Sequence, residues 1–430
     1  MPGFFSNGSR RRAILPLQAL NFFMADMQAG IGPFLGVYLI AHGWHNGLIG
    51  SVMSIGGIAG MAVTAPAGAL IDGSSRKRLY VIVPGICTVL ASAVILLSQS
   101  FVLVSASQIA SAIAGAAIGP AVSGITLGIV HQSGFNRQMG VNQAFNHAGN
   151  MVGAGLSGVL GWLFGMSAVF WLAALFGALS IVAVALIPPK AIDDRIARGL
   201  RHAQGDDDTI SGYRVLLECK PLLVLAAALC MFHLGNAAML PLYGMAVVTG
   251  DHANGPGFVA ITIVVAQGVM ILTALLTMQL GEKRGLWIVL LISFAALPIR
   301  GLIAAFLIGR WGVYPVQFLD GIGAGLQSVA VPALVARILN GTGHINVGQG
   351  AVMTAQGIGA SLSPAIGGWM SQRFGYSTTF VVLGCFALVS VALWIGFRRV
   401  VSAAATAPEN QAGEPPSVEQ VTRQARGIAG

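Results

Sequence analysis

Long apolar runs broken by short polar turns dominate the chain from residue 14 to residue 397, and they set the first expectation. A bilayer crossing needs about 20 mostly apolar residues in a helix. Twelve such stretches can be marked, at 14–41, 46–71, 79–98, 101–130, 139–163, 167–187, 221–249, 258–281, 286–308, 312–338, 345–370 and 377–397. The first follows Arg10, Arg11 and Arg12 and superficially resembles a secretory leader. It is too long and too polar for a cleaved leader core, since it carries Asn21, Asp26 and Gln28, so it reads as a span. The pattern predicts an all-α polytopic membrane protein of twelve transmembrane helices.

Composition strengthens that reading. Of the 430 residues, 55% are hydrophobic and only 9% are charged, too few to clothe a soluble domain of this length. The 58 glycines suit helices whose backbones approach closely in lipid. The four cysteines form no CxxC or CxxxxC spacing, so neither a zinc ribbon nor a redox pair is indicated, and they read as small apolar fillers.

Charge then orients the spans. The net charge of +9 is not spread evenly, because all 23 Lys and Arg residues except Arg300, Arg310 and Arg373 fall on one side of the predicted topology. By the positive-inside rule that side, with both termini, is cytoplasmic. The excess positive charge therefore calls for no nucleic acid, and it can also meet anionic lipid headgroups. The resulting expectation is a multi-pass protein of a bacterial inner membrane.

The one sizeable hydrophilic stretch between spans, 188–220, divides the chain into halves at 1–187 and 221–400. It contains Ile192–Leu200, which could form a short surface helix, and the acidic run Asp206–Asp208. A tail over 401–430, rich in Ala, Pro, Glu and Gln, is expected to be disordered. The halves match at a nearly constant offset. Gly140, Gly149 and Gly158 pair with Gly350, Gly359 and Gly368; Phe164–Gly165 pairs with Phe374–Gly375; Pro33 pairs with Pro241. Phe and Pro matches in register point to duplication. Two related six-span bundles around a midplane site form a transporter plan that works by alternating access.

With these features the chain resembles the major facilitator superfamily, and in particular its drug/proton antiporters. The family's loop between spans two and three has the pattern Gly-x-Leu-x-Asp-Arg/Lys-x-Gly-Arg/Lys-Arg/Lys. Here Gly68, Leu70, Asp72, Arg76 and Lys77 fit it, while Gly73 and Ser75 depart from it. The resemblance implies a conformational latch formed by Gly68, Asp72, Arg76 and Lys77. The fifth span's Gly140, Gly149, Gly153 and Gly158 match glycines of the antiporter motif, with Ala154 in place of its proline and Ser157 in place of its remaining glycine. The eleventh span's Gly350, Gly359, Pro364, Gly367 and Gly368 keep the proline and lose one glycine. That similarity favours export.

Ionisable groups inside spans are costly and mark function by default. At about 1.5 Å per residue, Asp26 lies about 18 Å into span one and His233 about 18 Å into span seven. Arg300 and Asp320 each lie about 12 Å from the outer ends of spans nine and ten, a matched depth that allows an ion pair. A structural brace would look the same. Asp26, His233, Asp320 and Arg300 are the candidates for proton coupling, with Asp26 the expected main carrier and Asp320 or His233 assisting, since an intramembrane carboxylate exchanges its proton as its hydration changes. On span five, Asn142, Asn146 and Asn150 form one stripe, with Gln143 and His147 beside it. Interhelical hydrogen bonds or a substrate cavity would each explain them. The expected cavity residues are Gln28, Asn142, Asn146, His147, Asn236, Tyr243 and Gln317, with Gln108, Gln327 and Gln356 as further polar groups.

The leading expectation is a monomeric, proton-coupled exporter of a small organic molecule, with no cofactor, no resident metal and no enzymatic activity. The same fold serves a proton-driven importer. A copper carrier is a weaker alternative, resting on His147 with Met151 and on Met231, His233 and Met239. No GxxxxGK[ST], GxSxG or HExxH motif supports ATP-driven transport or hydrolysis.

Overall fold

A computed structural model describes residues 7–29, 31–74, 76–193, 219–251, 255–339 and 345–405. The described chain is almost wholly helical: α1 (Asn7–Ala29), α2 (Ile31–Ala41), α3 (Asn46–Gly73), α4 (Leu79–Leu97), α5 (Phe101–Phe164), α6 (Ser167–Leu186), α7 (Lys220–Asn236), α8 (Met239–Asp251), α9 (Gly255–Arg284), α10 (Leu286–Phe306), α11 (Val313–Ile338), α12 (Ile345–Gly396) and α13 (Arg398–Ala405). Nine helical stretches among the described residues are long and apolar enough to cross a bilayer, and one of them, Gly348–Gly396, holds two of the expected spans.

Three boundaries differ from the expectation, each for a local reason. Span seven is divided between α7 and α8. The division precedes a proline, Pro241, which lacks an amide hydrogen and crowds the preceding turn. Spans four and five run through the single helix α5, broken only at His131 (φ 60, ψ 178), so the connection expected there is helical. A non-glycine residue in that backbone region costs about 1–3 kcal/mol. Spans eleven and twelve are likewise joined in α12 through Gly375 (φ 79, ψ 167).

Gly375 also reveals the duplication. Its counterpart Gly165, which closes α5, has φ 85 and ψ 171. Both positions need a positive φ that only glycine adopts without strain.

Large apolar side chains point outward along the helices. Trp162, Phe164, Trp171, Leu275, Phe306 and Trp311 are all exposed. Inside lie small and polar groups, including Asn21, Ser92, Ser107, Thr126 and Asn142. Water would not tolerate such a continuous apolar exterior, and lipid requires it. Buried Leu17, Leu20, Ile118, Ile125, Ile129 and Val184 form the apolar core of the first half.

The chain packs as two compact units. The first contains Met1–Ala203, Leu240–Gln267 and Pro364–Arg373, and the second contains Gln204–Met239, Gly268–Ser363 and Phe374–Gly430. The first unit thus takes in parts of spans seven, eight and eleven. The suggested surface helix at Ile192–Leu200 and the run Asp206–Asp208 lie outside the described residues, apart from Ile192 and Asp193. Of the expected tail, Val401–Ala405 is helical in α13 and the remainder lies outside the described residues.

Candidate functional site

In the second unit, α7, α10 and α11 bring a polar cluster together at membrane depth. Arg300, buried on α10, donates from one Nη1 to Asp320 Oδ1 at 2.7 Å and to Asn236 Oδ1 at 2.6 Å. Its Nη2 makes a longer contact, 3.4 Å, with Gln317 Oε1. The spacing on α11 explains the convergence, because Gln317 and Asp320 are three residues apart and share a face. Arg300 is 1% exposed and Asp320 is 16% exposed, so the cation is sealed in while the carboxylate keeps partial access. His233, one turn before Asn236, has Asp320 and Gln327 as polar neighbours. Its Nε2, Arg300 Nε and Gln317 Nε2 are buried without hydrogen-bond partners among the described residues. Gln327 donates to Ser293 Oγ at 2.9 Å, and Ser293 donates to Gly323 O at 2.8 Å, which ties α10 to α11 beside the cluster.

The first unit carries the span-five stripes. Asn142 is fully engaged: it receives a bond from Gln138 and donates to Thr126 Oγ1 at 3.0 Å. It is buried and joins the two arms of α5. Asn146 donates to Asn21 O at 3.5 Å, and Asn150 donates to Asn146 Oδ1. His147 turns away from this ladder, and its Nδ1 lies 2.7 Å from Gln267 Oε1 on α9. Tyr243 is buried and stacks near Phe258. The Asp26, Gln28 and Asp72 side chains lie outside the described residues, as do the surroundings of Gly68. Of the latch residues, Arg76 is exposed, while Lys77 is buried and its Nζ donates to Ile71 O at 3.0 Å, at the end of α3.

Glycines set the closest helix approaches. A Cβ on Gly149 would strike Phe22 O on α1, and a Cβ on Gly359 would strike Cys230 O on α7. Two seams complete the first unit. Along α5 and α9, Gly158 faces Ala260 and Gly161 faces Pro256, each leaving 2.5 Å for an added Cβ. Along α3 and α12, Gly50 faces Pro364 O, Gly47 N–H donates to Gln372 Oε1, Trp369 Nε1 donates to Ser51 Oγ, and Ala365 N–H donates to Ser54 Oγ. Gln267, Ser51, Ser54, Trp369 and Gln372 were not among the expected site residues. Each is an ordinary neutral residue within an apolar run, so no local signal sets it apart. Among the described residues, no three His, Cys, Asp or Glu side chains gather into a metal site.

Comparison with known proteins agrees with this architecture. The family model described as Major Facilitator Superfamily matches residues 15–344 and 280–428. An uncharacterized MFS-type transporter of Mycobacterium tuberculosis is 38% identical over 386 residues, covering 89% of this chain and 92% of its own. Among solved structures, a mutant of the nucleoside transporter NupG superposes with a TM-score of 0.75 at 14% identity, over 90% of this chain and 99% of NupG. A bacterial homolog of the human lysosomal transporter Spinster, inward-facing and unoccupied, gives 0.71 at 16% identity, over 94% of this chain and 100% of its own. At these identities the two structures speak for the fold alone. The sequence matches go further: this chain belongs to the major facilitator superfamily of membrane transporters.

Proposed function

We propose that the chain is a proton-coupled secondary transporter that exports a small organic molecule in exchange for protons. The observation that carries this reading is the Arg300–Asp320 pair, held at 2.7 Å inside spans where an ion pair is expensive to bury. Protonating Asp320 would leave Arg300 buried without its counter-ion. That state is tolerable only if water or a ligand enters, so proton uptake and a change of access are linked. Asp26, on α1, is the second intramembrane carboxylate in this scheme, and His233 assists at the rim of the cluster. The glycines of spans five and eleven support the outward direction of transport. The basic connections support a cytoplasmic location for both termini, in a bacterial inner membrane, and a monomer among lipids suffices for the mechanism.

The test uses everted membrane vesicles energised to an acid interior and reported by a pH-sensitive dye. A transported compound should raise the internal pH on addition, and Asp320→Asn and Asp26→Asn should each abolish that response while substrate exchange survives. Further acidification would indicate symport, and transport indifferent to the pH gradient would end the proposal.

A further inference from the structure

The geometry points to a specific recognition edge: Asn236 and Asp320 together bind a neutral substrate through an adjacent carbonyl and N–H, as in an amide, lactam or nucleobase. Arginine has donors and no acceptor. Any side-chain amide that meets it must therefore present its oxygen. Arg300 Nη1 takes Asn236 Oδ1 at 2.6 Å and Asp320 Oδ1 at 2.7 Å, so one nitrogen fixes the orientation of both side chains. Asn236 is left with its Nδ2 donor turned away from the arginine, and Asp320 with its Oδ2 acceptor turned away. Neither atom has a partner among the described residues, and both side chains keep some exposure. The free donor of one side chain and the free acceptor of the other therefore flank the same arginine nitrogen, and both keep partial access. Gln317 repeats the logic: its oxygen faces Arg300 and its buried Nε2 is unpartnered among the described residues.

Complementarity then selects the ligand. A carbonyl oxygen accepts from Asn236 Nδ2 while the neighbouring N–H donates to Asp320 Oδ2. An organic anion is disfavoured even though a cation is present, because Arg300 is 1% exposed and the accessible charge is the carboxylate. Arg300 is therefore a positioning residue, acting on the substrate through Asn236 and Asp320. The inference rests on the transport reading and names the substrate class of the same cluster.

Binding without a gradient tests it separately from proton coupling. Purified full-length protein is titrated with radiolabelled uracil, competed by N,N′-dimethyluracil, which keeps the carbonyls and lacks the N–H groups, and by benzoate. Uracil should bind at millimolar concentration or below, and neither competitor should displace it. Asn236→Asp turns the donor into a second acceptor and should weaken uracil by at least about tenfold, the loss of roughly one good hydrogen bond. Combining it with Asp320→Asn exchanges donor and acceptor while preserving the charge around Arg300. Because the uracil edge reads in either direction, the double variant should recover to within about threefold of the original affinity. A merely structural role for Asn236 predicts no such recovery. No uracil binding, equal binding of the dimethyl compound, displacement by benzoate, or a folded double variant no better than Asn236→Asp would each overturn the inference. Uracil binding with no proton-coupled flux would instead overturn the proton-exchange reading and leave this one standing.

Discussion

Where span one meets span five, and where span seven meets span eleven, the duplicated chain has built one contact twice. Gly149 lies against the carbonyl of Phe22, and its counterpart Gly359 lies against the carbonyl of Cys230. Around these matching crossings the chemistry differs. The first is surrounded by neutral amides: Asn142 bonds to Gln138 and Thr126, Asn150 to Asn146, and Asn146 to the carbonyl of Asn21. The second lies in the unit that holds the charged cluster of Arg300 and Asp320. Backbone approach is thus the shared requirement of the fold, and charge is the local departure from it. A neutral ladder can stay closed at little cost, whereas a buried ion pair is sensitive to protonation and water.

The contrast is most exposed to failure at Arg300. Arg300→Met should destabilise the protein by about 3–5 kcal/mol, because the part-buried Asp320 loses its counter-ion and Asn236 and Gln317 lose their donor. Adding Asp320→Leu should return much of that loss, and thermal unfolding in detergent would follow both. If the single variant proved as stable as the parent, the pair would not be the charged centre of the second half. The shared glycine contact gives the next largest effect. Gly149→Ala and Gly359→Ala should each cost about 1–3 kcal/mol, and by similar amounts, since each new methyl meets a backbone carbonyl that cannot rotate away. Unequal losses would mean the two crossings are less alike than they look. In the neutral ladder, Asn142→Leu should cost about 1–3 kcal/mol by leaving the buried Gln138 amide without its acceptor and removing the donor to Thr126 Oγ1, with little change in pH-driven transport. The smallest effect is expected at the α5–α9 seam. A double-mutant cycle with His147→Phe and Gln267→Leu should give a coupling of about 1 kcal/mol.

Much of this was legible in the sequence, and for physical reasons. Twenty-residue apolar runs, a one-sided distribution of Lys and Arg, and paired Pro33 and Pro241 are each local signals. Arg300 and Asp320 stood out because ionisable residues are rare in such runs and their depths matched. Their neighbours Asn236 and Gln317 were readable as polar residues on cavity helices, but the division of labour among them was not. It depends on a single arginine nitrogen reaching two oxygens, a fact of three-dimensional placement. The seam contacts were hidden for the opposite reason. Ser51, Ser54 and Gln267 differ from dozens of other small polar residues only in what faces them. The abrupt kink within α5 escaped because one strained residue, His131, does the work expected of a loop.

The make-up of the first unit has a consequence for biosynthesis. Residues 1–203 leave the ribosome first, yet the packing they complete requires Leu240–Gln267 and Pro364–Arg373. Until those segments are synthesised, Gly47 and Gly50 of α3 and Gly158 and Gly161 of α5 lack the neighbours they meet in the folded unit. Assembly of this unit is therefore a late event, and a nascent chain released before residue 373 has made its membrane spans without completing its first folded body. Premature termination anywhere upstream of that point should yield a product recognised by membrane quality control, even when the whole amino-terminal half is intact.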